Sequence, residues 1–251
     1  MNNLKKKMFL SFPFLKKIYA YNRFRREKWV CRMSKLIEKK SIILDVGAGS
    51  SPFKHNFNHC VYYSHDFVQL NDMQIQDGEG YSKIDFVSDI LDIPVNDSFA
   101  DVILCTEVIE HVKYPIAVIK EFSRILKPGG KLLLTAPLIS GLHQEPYHFY
   151  GGYTKYWYNQ ILNENGFSLV EIVENGDLFL SFMSFGLSIY KFLLDKFFSV
   201  SNLLYKILYL FSLIFCFVPF LILLPIFSWG FSLLTKSKEF TAGYHVLAVK
   251  I

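Results

Sequence analysis

The sequence predicts an α/β fold, in which an apolar helical insertion interrupts a doubly wound, mostly parallel sheet of seven strands before its last strand. Three features predict it. Short β-branched runs alternate with helical patterns, a glycine-containing loop follows the first run, and a long uncharged stretch lies near the end. The length of 251 residues suits one such domain with an appendage, and a hydrophobic content of 51% excludes a disordered chain.

Seven short apolar runs are typical of buried strands, and they occupy residues 41–46, 61–64, 84–87, 101–105, 131–136, 167–173 and 244–250. Apolar residues at helical spacing predict a helix over 114–126, which stops at the proline and glycines after Lys127. A second helix is predicted over 154–165, with Thr154 as its N-cap and Gly166 as its stop. Because strands joined through helices run parallel, these elements predict a mostly parallel sheet.

Basic residues are concentrated in the first 40 residues, which hold 13 Lys and Arg against 2 Asp and Glu. Apolar side chains such as Phe12, Phe14 and Trp29 are interleaved with them. Residues 1–40 are therefore predicted to form a basic amphipathic helical arm. The arm either lies on an anionic membrane or covers the domain with a solvated outer face.

The four cysteines are widely spaced and include no C-x-x-C pair. This spacing argues against a zinc ribbon, a thioredoxin-type site or a disulfide scaffold, and favours reduced thiols in a cytosolic compartment. We assign no metal ligands from the sequence.

A 29-residue stretch without a charged residue, 207–235, lies before the last strand and follows another apolar run, 178–190. No soluble surface helix needs a run of this length, so residues 178–240 are predicted to be a membrane-associated insertion. Pro219 and Pro225 are expected to break the stretch into two arms, each reaching about half of a ~30 Å hydrocarbon core. A re-entrant hairpin or an in-plane helix pair is therefore favoured over two spans. A soluble lid and an oligomer interface stay open as alternatives.

Glycines and acidic residues follow successive predicted strands, at the edge where α/β sheets bind ligands. The residues concerned are Asp45, Gly47 and Gly49 around the end of the first strand, Asp66 after the second, and Asp89 with Ile90 after the third. The glycines either serve a tight turn only or let backbone N–H groups contact a ligand. The later carboxylates can accept from ribose hydroxyls and from an exocyclic amine. Pro52 stands where a dinucleotide fingerprint has its third glycine, which argues against an NAD-dependent dehydrogenase.

The chain resembles class I S-adenosylmethionine-dependent methyltransferases of the type 11 group in the stretches ILDVGAGSSPF, HDF, DFVSDILDIP, SFADVILCTEVIEHV, ILKPGGKLLLTAP and YHVLAVK. The resemblance covers about 41–173 and the final strand, and it implies a Rossmann-like methyltransferase fold with S-adenosyl-L-methionine as cofactor. It implies cofactor contacts by Asp45, Gly47 and Gly49 (methionine end), Asp66 (ribose), Asp89 and Ile90 (adenine), and Cys105, Thr106 and Glu107 after strand four. Residues 50–53 depart from the family pattern, because Ser-Ser-Pro-Phe leaves little room for a long first helix.

Methyl transfer from a sulfonium needs an aligned acceptor, and it can use a base that removes the acceptor's proton. The loop after strand five supplies four candidate bases, His143, Glu145, Tyr147 and His148. We expect His143 or His148 to be the catalytic base. His111 is expected to have a capping or packing role instead.

The family's last strand is antiparallel and pairs with the sixth, so the insertion is expected to start and end at the ligand edge. Because both flanking strands belong to one predicted domain, 41–177 with 241–251, a single membrane crossing is excluded. At a membrane surface the expected acceptor is lipid-linked, either a polyprenyl-linked sugar or a quinone precursor, with another small molecule as a further alternative. The resemblance favours the sugar, because proteins similar to this one often serve bacterial surface-polysaccharide assembly, and oxygen is then the preferred acceptor atom. We expect association with the cytoplasmic face of the cell membrane and no nucleic acid. An RNA methyltransferase and a non-catalytic membrane adaptor remain alternatives, and the oligomeric state stays open.

Overall fold

The computed structural model describes residues 20–75, 80–235 and 240–251. The chain divides into a sheet unit, which contains Arg26–Asn175 and Gly243–Ile251, and a helical unit, which contains Met1–Arg25 and Gly176–Ala242. Residues 1–19 of the predicted basic arm lie outside the described residues. The following segment forms helix α1, Tyr21–Ser34.

Seven strands form one sheet, as the sequence predicts. They are β1 Ile42–Val46, β2 Val61–Asp66, β3 Phe86–Val87, β4 Ala100–Thr106, β5 Leu126–Pro137, β6 Phe167–Glu174 and β7 Gly243–Lys250. Their order across the sheet is β3-β2-β1-β4-β5-β7-β6, and β7 runs antiparallel to both of its neighbours, as expected. The order reverses between β1 and β4, which is where a doubly wound sheet opens a crevice for a ligand.

Helices bury both faces of the central strands. Helix α2, Pro115–Ile125, packs Phe122 against the face that carries Leu44, and helix α3, Lys155–Glu164, packs Tyr158 there. Helix α1 packs Trp29 against the opposite face, which carries Ile43. Because successive strand residues point to opposite faces, both layers are needed to bury β1. Each such large apolar side chain contributes about 1.5–3 kcal/mol when fully buried.

The predicted helix boundaries are close to the observed ones, but the predicted start of the fifth strand differs from the observed start. Thr154 caps α3 as expected, since its hydroxyl accepts from the Trp157 N–H at 3.3 Å. After α2 the chain enters β5 at once, at Leu126, five residues before the predicted start. Leu126 pairs with Ala100 and Lys131 pairs with Val102, so β5 advances by five residues where β4 advances by two. The extra residues of β5 form an irregularity in the pairing.

The connection between β1 and β2 contains no long helix among its described residues, 47–60. The sequence predicts this, because residues 50–53 depart from the family pattern. In the described stretch 47–60 the connection forms a 3-10 turn, Lys54–Phe57, in place of a long helix. Phe53 and Phe57 are buried beside Trp29 and Val30 of α1. The turn therefore completes the apolar face that α1 covers.

The helical unit corrects the expectation that proline breaks the uncharged stretch. It contains α4 Leu178–Ser199, α5 Leu203–Val218 and α6 Leu224–Thr235, and a single wide turn, Pro219–Leu223, joins α5 to α6. In this π-helical turn the Leu224 N–H donates to the Pro219 carbonyl five residues earlier. A wider turn of this kind accommodates a residue that has no N–H group to donate, so the helix continues where two half-length arms were expected.

Close contacts hold the three helices together. The Asp177 carboxylate caps α4 by accepting from the Leu180 N–H at 3.0 Å, and it also accepts from the Ser232 hydroxyl of α6. A Cβ atom added to Gly186 of α4 would lie 2.2 Å from Leu224 and 2.9 Å from Phe220. Glycine at 186 therefore permits a close approach of the helices.

Two segments of the helical unit are long and apolar enough to cross a membrane. They are Leu178–Ser199, with 22 residues and a mean hydropathy of 1.4, and Leu203–Leu234, with 32 residues and a mean hydropathy of 2.8. At about 1.5 Å per residue they measure roughly 33 and 48 Å, against a hydrocarbon thickness of about 30 Å. Large apolar side chains such as Phe211, Phe215 and Ile226 are exposed along the second segment.

The contact at Gly186 yields a stability prediction. Gly186→Leu should lower the thermal midpoint of the detergent-solubilised protein, because the added side chain meets Leu224 and Phe220, and overpacking costs about 1–3 kcal/mol. Gly230→Leu is the matched control, since a Cβ there would meet no described atom within 4 Å. Circular dichroism during heating measures both midpoints, and equal midpoints for the two variants would contradict the proposed packing.

Candidate active site

The loop after β1 packs closely against the end of β2 and the segment after β4. The N–H groups of Gly47 and Ala48 both donate to the His65 carbonyl, at 2.9 and 3.0 Å. Gly47 has a φ of +70°, and a Cβ atom there would lie 2.4 Å from Val108. Glycine is thus required at 47 by both the backbone angle and the contact with the segment after β4.

Asp66 ends β2 and binds the same loop. Its Oδ2 accepts from the Gly49 N–H at 2.9 Å, and its Oδ1 accepts from the Val68 N–H at 3.1 Å. Each carboxylate oxygen has a second lone pair, so the group can still accept from a pair of hydroxyls. These two backbone bonds orient the carboxylate that was expected at the cofactor's ribose.

Asp45 is almost fully buried, with 2% of its surface exposed. It accepts a hydrogen bond from the Tyr62 hydroxyl, a partner that the sequence analysis missed. Burial raises the pKa of the Asp45 carboxyl to about 7, the Tyr62 hydrogen bond opposes this, and the charge of Asp66 adds to it. The carboxyl therefore lies beneath the glycine loop and titrates near neutral pH.

Asp89 and Ile90 lie just beyond β3. The exposed Asp89 carboxylate accepts from the Leu91 N–H at 2.9 Å and so fixes a turn, while Ile90 is half-buried against the core. The His65 Nε2 lies 3.2 Å from the Ser88 carbonyl, which joins this turn to the end of β2. The expected adenine-contacting residues are thus tied to the strand that ends in Asp66.

The expectation for the residues after strand four needs correction. Cys105 and Thr106 belong to β4 itself, and Cys105 is fully buried in the core. Burial raises the pKa of the Cys105 thiol well above its usual value, and the side chain has no surface with which to contact a ligand. Among these three residues, Glu107 is the one that follows the strand.

Glu107 is held in a strained conformation by polar contacts. Its φ is +54°, in a region that non-glycine residues rarely adopt. Its carboxylate accepts from the Thr135 hydroxyl at 2.8 Å and lies 3.1 Å from the Arg26 guanidinium. Arg26 in α1 therefore has a specific partner at the sheet edge, which its place in a basic arm did not reveal.

The loop after β5 brings the candidate bases to the same edge of the sheet. The rings of His143 and His148 lie 4.6 Å apart, and the His148 Nε2 lies 2.9 Å from the Ser140 hydroxyl. Burial, and then the charge of His143, lower the pKa of His148. The Tyr147 hydroxyl donates to the Gln69 side chain at 3.0 Å, so this loop contacts the one after Asp66.

His111 lies beside these two histidines. The capping or packing role expected from the sequence did not include this contact. Its ring lies 4.7 Å from that of His143 and 5.5 Å from that of His148. Burial and the charges of the other two histidines lower the pKa of His111 to about 4. Its neighbour Glu110, which sequence reasoning missed, is buried, and burial raises the pKa of its carboxyl well above the usual range.

An open cavity of about 710 Å³ lies between the starts of α2 and α3. It combines aromatic side chains with two lysines, and no motif in the sequence predicted it. Its lining residues include Lys113, Tyr114, Lys120, Tyr150, Tyr153 and Trp157. The Tyr153 and Trp157 rings pack 4.5 Å apart, and the Tyr153 hydroxyl donates to the Ile109 carbonyl next to Glu110.

A family model described as a methyltransferase domain matches residues 19–172, more than half of the chain. The chain belongs to the class I S-adenosylmethionine-dependent methyltransferases. This confirms the resemblance to class I S-adenosylmethionine-dependent methyltransferases that the sequence motifs suggested.

Solved structures share the fold of this methyltransferase. A protein provisionally described as a sarcosine dimethylglycine methyltransferase, from Galdieria sulphuraria, matches with a TM-score of 0.55 at 14% identity, over 90% of this chain and 85% of its own. The [4+2]-cyclase SpnF matches with a TM-score of 0.54 at 13% identity, over 89% and 80%. Likeness at these identities concerns the fold alone. Among the curated proteins, none matches this sequence.

The residues of this methyltransferase fit its family's cofactor, S-adenosylmethionine. The loop at Gly47 leaves no room for a side chain, and the Asp66 carboxylate is oriented by two backbone N–H groups with lone pairs to spare. The individual contacts expected for the cofactor-binding residues stay predictions, and these residues are Asp45, Gly47, Gly49, Asp66, Asp89, Ile90, Thr106 and Glu107.

The pKa of Asp45 yields a pH prediction. Below pH 7 the folded protein holds Asp45 protonated and uncharged, so affinity for the cationic cofactor should fall as the pH falls. From pH 8 to pH 6 the loss should reach up to about tenfold, because one pH unit below the pKa leaves about a tenth of the carboxyl ionised. Calorimetric titration at both pH values measures it. Asp45→Asn should bind S-adenosylmethionine more weakly than wild type at pH 8, and its affinity should change little between pH 8 and pH 6. A variant whose affinity keeps the wild-type pH dependence would contradict the assignment.

Proposed function

We propose that the protein methylates a hydroxyl of a lipid-linked sugar at the cytoplasmic face of the cell membrane, in surface-polysaccharide assembly. The observation that carries the proposal is where the chain leaves the sheet. The Asn175 N–H after β6 donates to the Gly243 carbonyl of β7 at 2.8 Å, so the apolar excursion starts and ends at one point. That point lies at the carboxyl edge of the sheet, which also carries Asp66 and His148.

The chain path restricts how the insertion can meet a bilayer. Because both of its ends are in one sheet, it must leave and return on the same side of the membrane. Two apolar helices of sufficient length support a pair of crossings, and an in-plane arrangement satisfies the same constraint. Because the insertion joins the sheet at its carboxyl edge, either arrangement supports an acceptor that is itself linked to lipid.

The aromatic and basic cavity supports a phosphorylated glycan as the acceptor. Tyr150 and Trp157 offer partly exposed aromatic faces, which suit a sugar ring, and Tyr153 packs behind Trp157. Lys113 and Lys120 offer ammonium groups, which bind phosphate as point charges. A polyprenyl-linked sugar carries both chemical features, whereas a quinone precursor lacks the phosphate.

The chain's own groups can align the acceptor and take its proton. Bound S-adenosylmethionine supplies an electrophilic methyl group. Alignment of the reacting groups can lower the barrier by roughly 7–11 kcal/mol, and a positioned base adds about 10²–10⁴-fold. His148 is suited to be that base, because its lowered pKa leaves the imidazole neutral at pH 7, and His143 is the other candidate.

The cysteines support the cytoplasmic face. All four lie in the described part of the chain and are free, although Cys31, Cys60 and Cys216 are partly exposed. Unpaired, accessible thiols are typical of a reducing compartment. The basic residues of the first 40 positions are suited to the anionic lipids of that leaflet.

The cavity assignment predicts a selective loss of acceptor binding. Lys120→Ala and Trp157→Ala should each raise the KM for the lipid-linked sugar by about 5–50-fold, while the affinity for S-adenosylmethionine stays within twofold, because neither residue lies on the cofactor loops. Lys155→Ala is the matched control, since this exposed lysine of α3 lies outside the cavity lining. An unchanged KM in Lys120→Ala and Trp157→Ala would contradict the assignment.

The function itself is tested with the full chain in vesicles that contain anionic phospholipid. Isotopically labelled S-adenosylmethionine is supplied together with a polyprenyl-diphosphate sugar, a water-soluble sugar phosphate or a prenylated phenol, and the products are analysed by mass spectrometry. We expect label in the polyprenyl-linked sugar and co-flotation of the protein with the vesicles. Label in the phenol alone would favour the quinone precursor, and a protein that stays off the vesicles would overturn membrane association.

A further inference from the structure

One cluster of side chains at the sheet edge has a composition that cofactor binding does not explain. Among the residues that the structure describes, Glu110, His111 and His143 offer ligand atoms that all lie within 4.8 Å of one another. The three residues come from two segments, the short turn after β4 and the loop after β5. The two segments are far apart in sequence, which is why the sequence analysis assigned no metal ligands.

The hydrogen bonds of the two imidazoles leave the same nitrogen free on each. The His111 Nδ1 lies 3.0 Å from the Tyr147 carbonyl, and the His143 Nδ1 lies 2.8 Å from the Gly141 carbonyl. A carbonyl can only accept, so each Nδ1 carries the proton and each Nε2 presents a lone pair. Histidines that bind metals are held in this way, with the second nitrogen donating to a carbonyl or carboxylate.

Glu110 contributes a buried oxygen that lacks a partner. The residue is 1% exposed, and within the described part of the chain its Oε2 makes no hydrogen bond. Its Oε1 lies 3.8 Å from the His111 Nε2, which is too far for a hydrogen bond. A buried carboxyl oxygen without a hydrogen-bond partner is costly, so its presence in a polar cluster needs an explanation.

We propose that Glu110, His111 and His143 bind one divalent transition-metal ion. Two imidazoles and a carboxylate are the ligand set of zinc and iron sites that keep open positions. Ligands about 2.0–2.1 Å from a tetrahedral ion lie about 3.3 Å apart. The exposed His143 would therefore move inward by up to about 1.5 Å from the observed spacing.

The ion has a role in acceptor binding that rests on the proposed function. An open coordination position can hold an acceptor hydroxyl and make its proton more acidic. His143 then serves as a metal ligand, and His148, whose ring lies 4.6 Å from that of His143, is left as the proton acceptor. The metal site itself does not depend on which acceptor is used.

The metal-stripped full chain, solubilised in detergent, is titrated with Zn²⁺ alone and with Mn²⁺ alone in a calorimeter. We expect one ion per chain for at least one of them. His143→Ala should lower that affinity at least tenfold, and because its side chain is exposed, the variant should fold normally. His55→Ala is the matched control, since this exposed histidine of the turn Lys54–Phe57 lies apart from the cluster and should leave the affinity unchanged.

Wild-type protein that binds neither ion stoichiometrically, or His143→Ala that binds as tightly as wild type, would overturn the proposal. Glu110→Gln gives a second measurement, because it keeps the size of the buried side chain and should also lower the affinity at least tenfold. Circular dichroism shows that each variant is folded. Stoichiometric metal binding that His143→Ala abolishes would uphold the site even if the lipid-linked sugar is not methylated, so the two proposals fail separately.

Discussion

The glycine loop after β1 is held between its two neighbouring strands by backbone groups and by one close contact. Two successive N–H groups donate to the carbonyl of His65 at the end of β2, while Gly47 lies against Val108 beyond β4. The Asp66 carboxylate completes the arrangement by accepting from the Gly49 N–H. The placement of the cofactor-binding groups depends on this closure, because a side chain at 47 would push the segment after β4 away from the loop.

The two acids after β4 differ in how their charge is compensated. Glu107 is partly exposed and is paired with Arg26 and Thr135. Glu110 is fully buried, and burial together with the charge of Glu107 raises the pKa of its carboxyl. The imidazoles of His111 and His143 offer ligand atoms within 4.8 Å of its carboxylate. A paired carboxylate and a buried carboxyl of raised pKa therefore lie at the same sheet edge as the candidate bases.

The main feature of the helical unit is a long helical segment that continues past Pro219. A single π-helical turn lets the chain pass Pro219 without ending the helix, which makes a 32-residue apolar segment out of a stretch that composition alone divides in two. Gly186 and the Asp177–Ser232 contact pack the helices closely, and many of the remaining large apolar side chains are exposed. An exposed apolar surface of this kind suits lipid as its surroundings.

The sequence by itself determined the seven strands of the sheet, the glycine loop and the acids at the strand ends, because local periodicity and short motifs encode these features. The resemblance to the family added the antiparallel last strand beside the sixth. Tertiary structure alone decided the rest. It buried Asp45 under Tyr62, put Cys105 in the core, carried the helix through Pro219 and gathered Glu110, His111 and His143 from separate loops. The physical reason is that burial and contacts between distant segments set these properties, and neither is written in the spacing of residues along the chain.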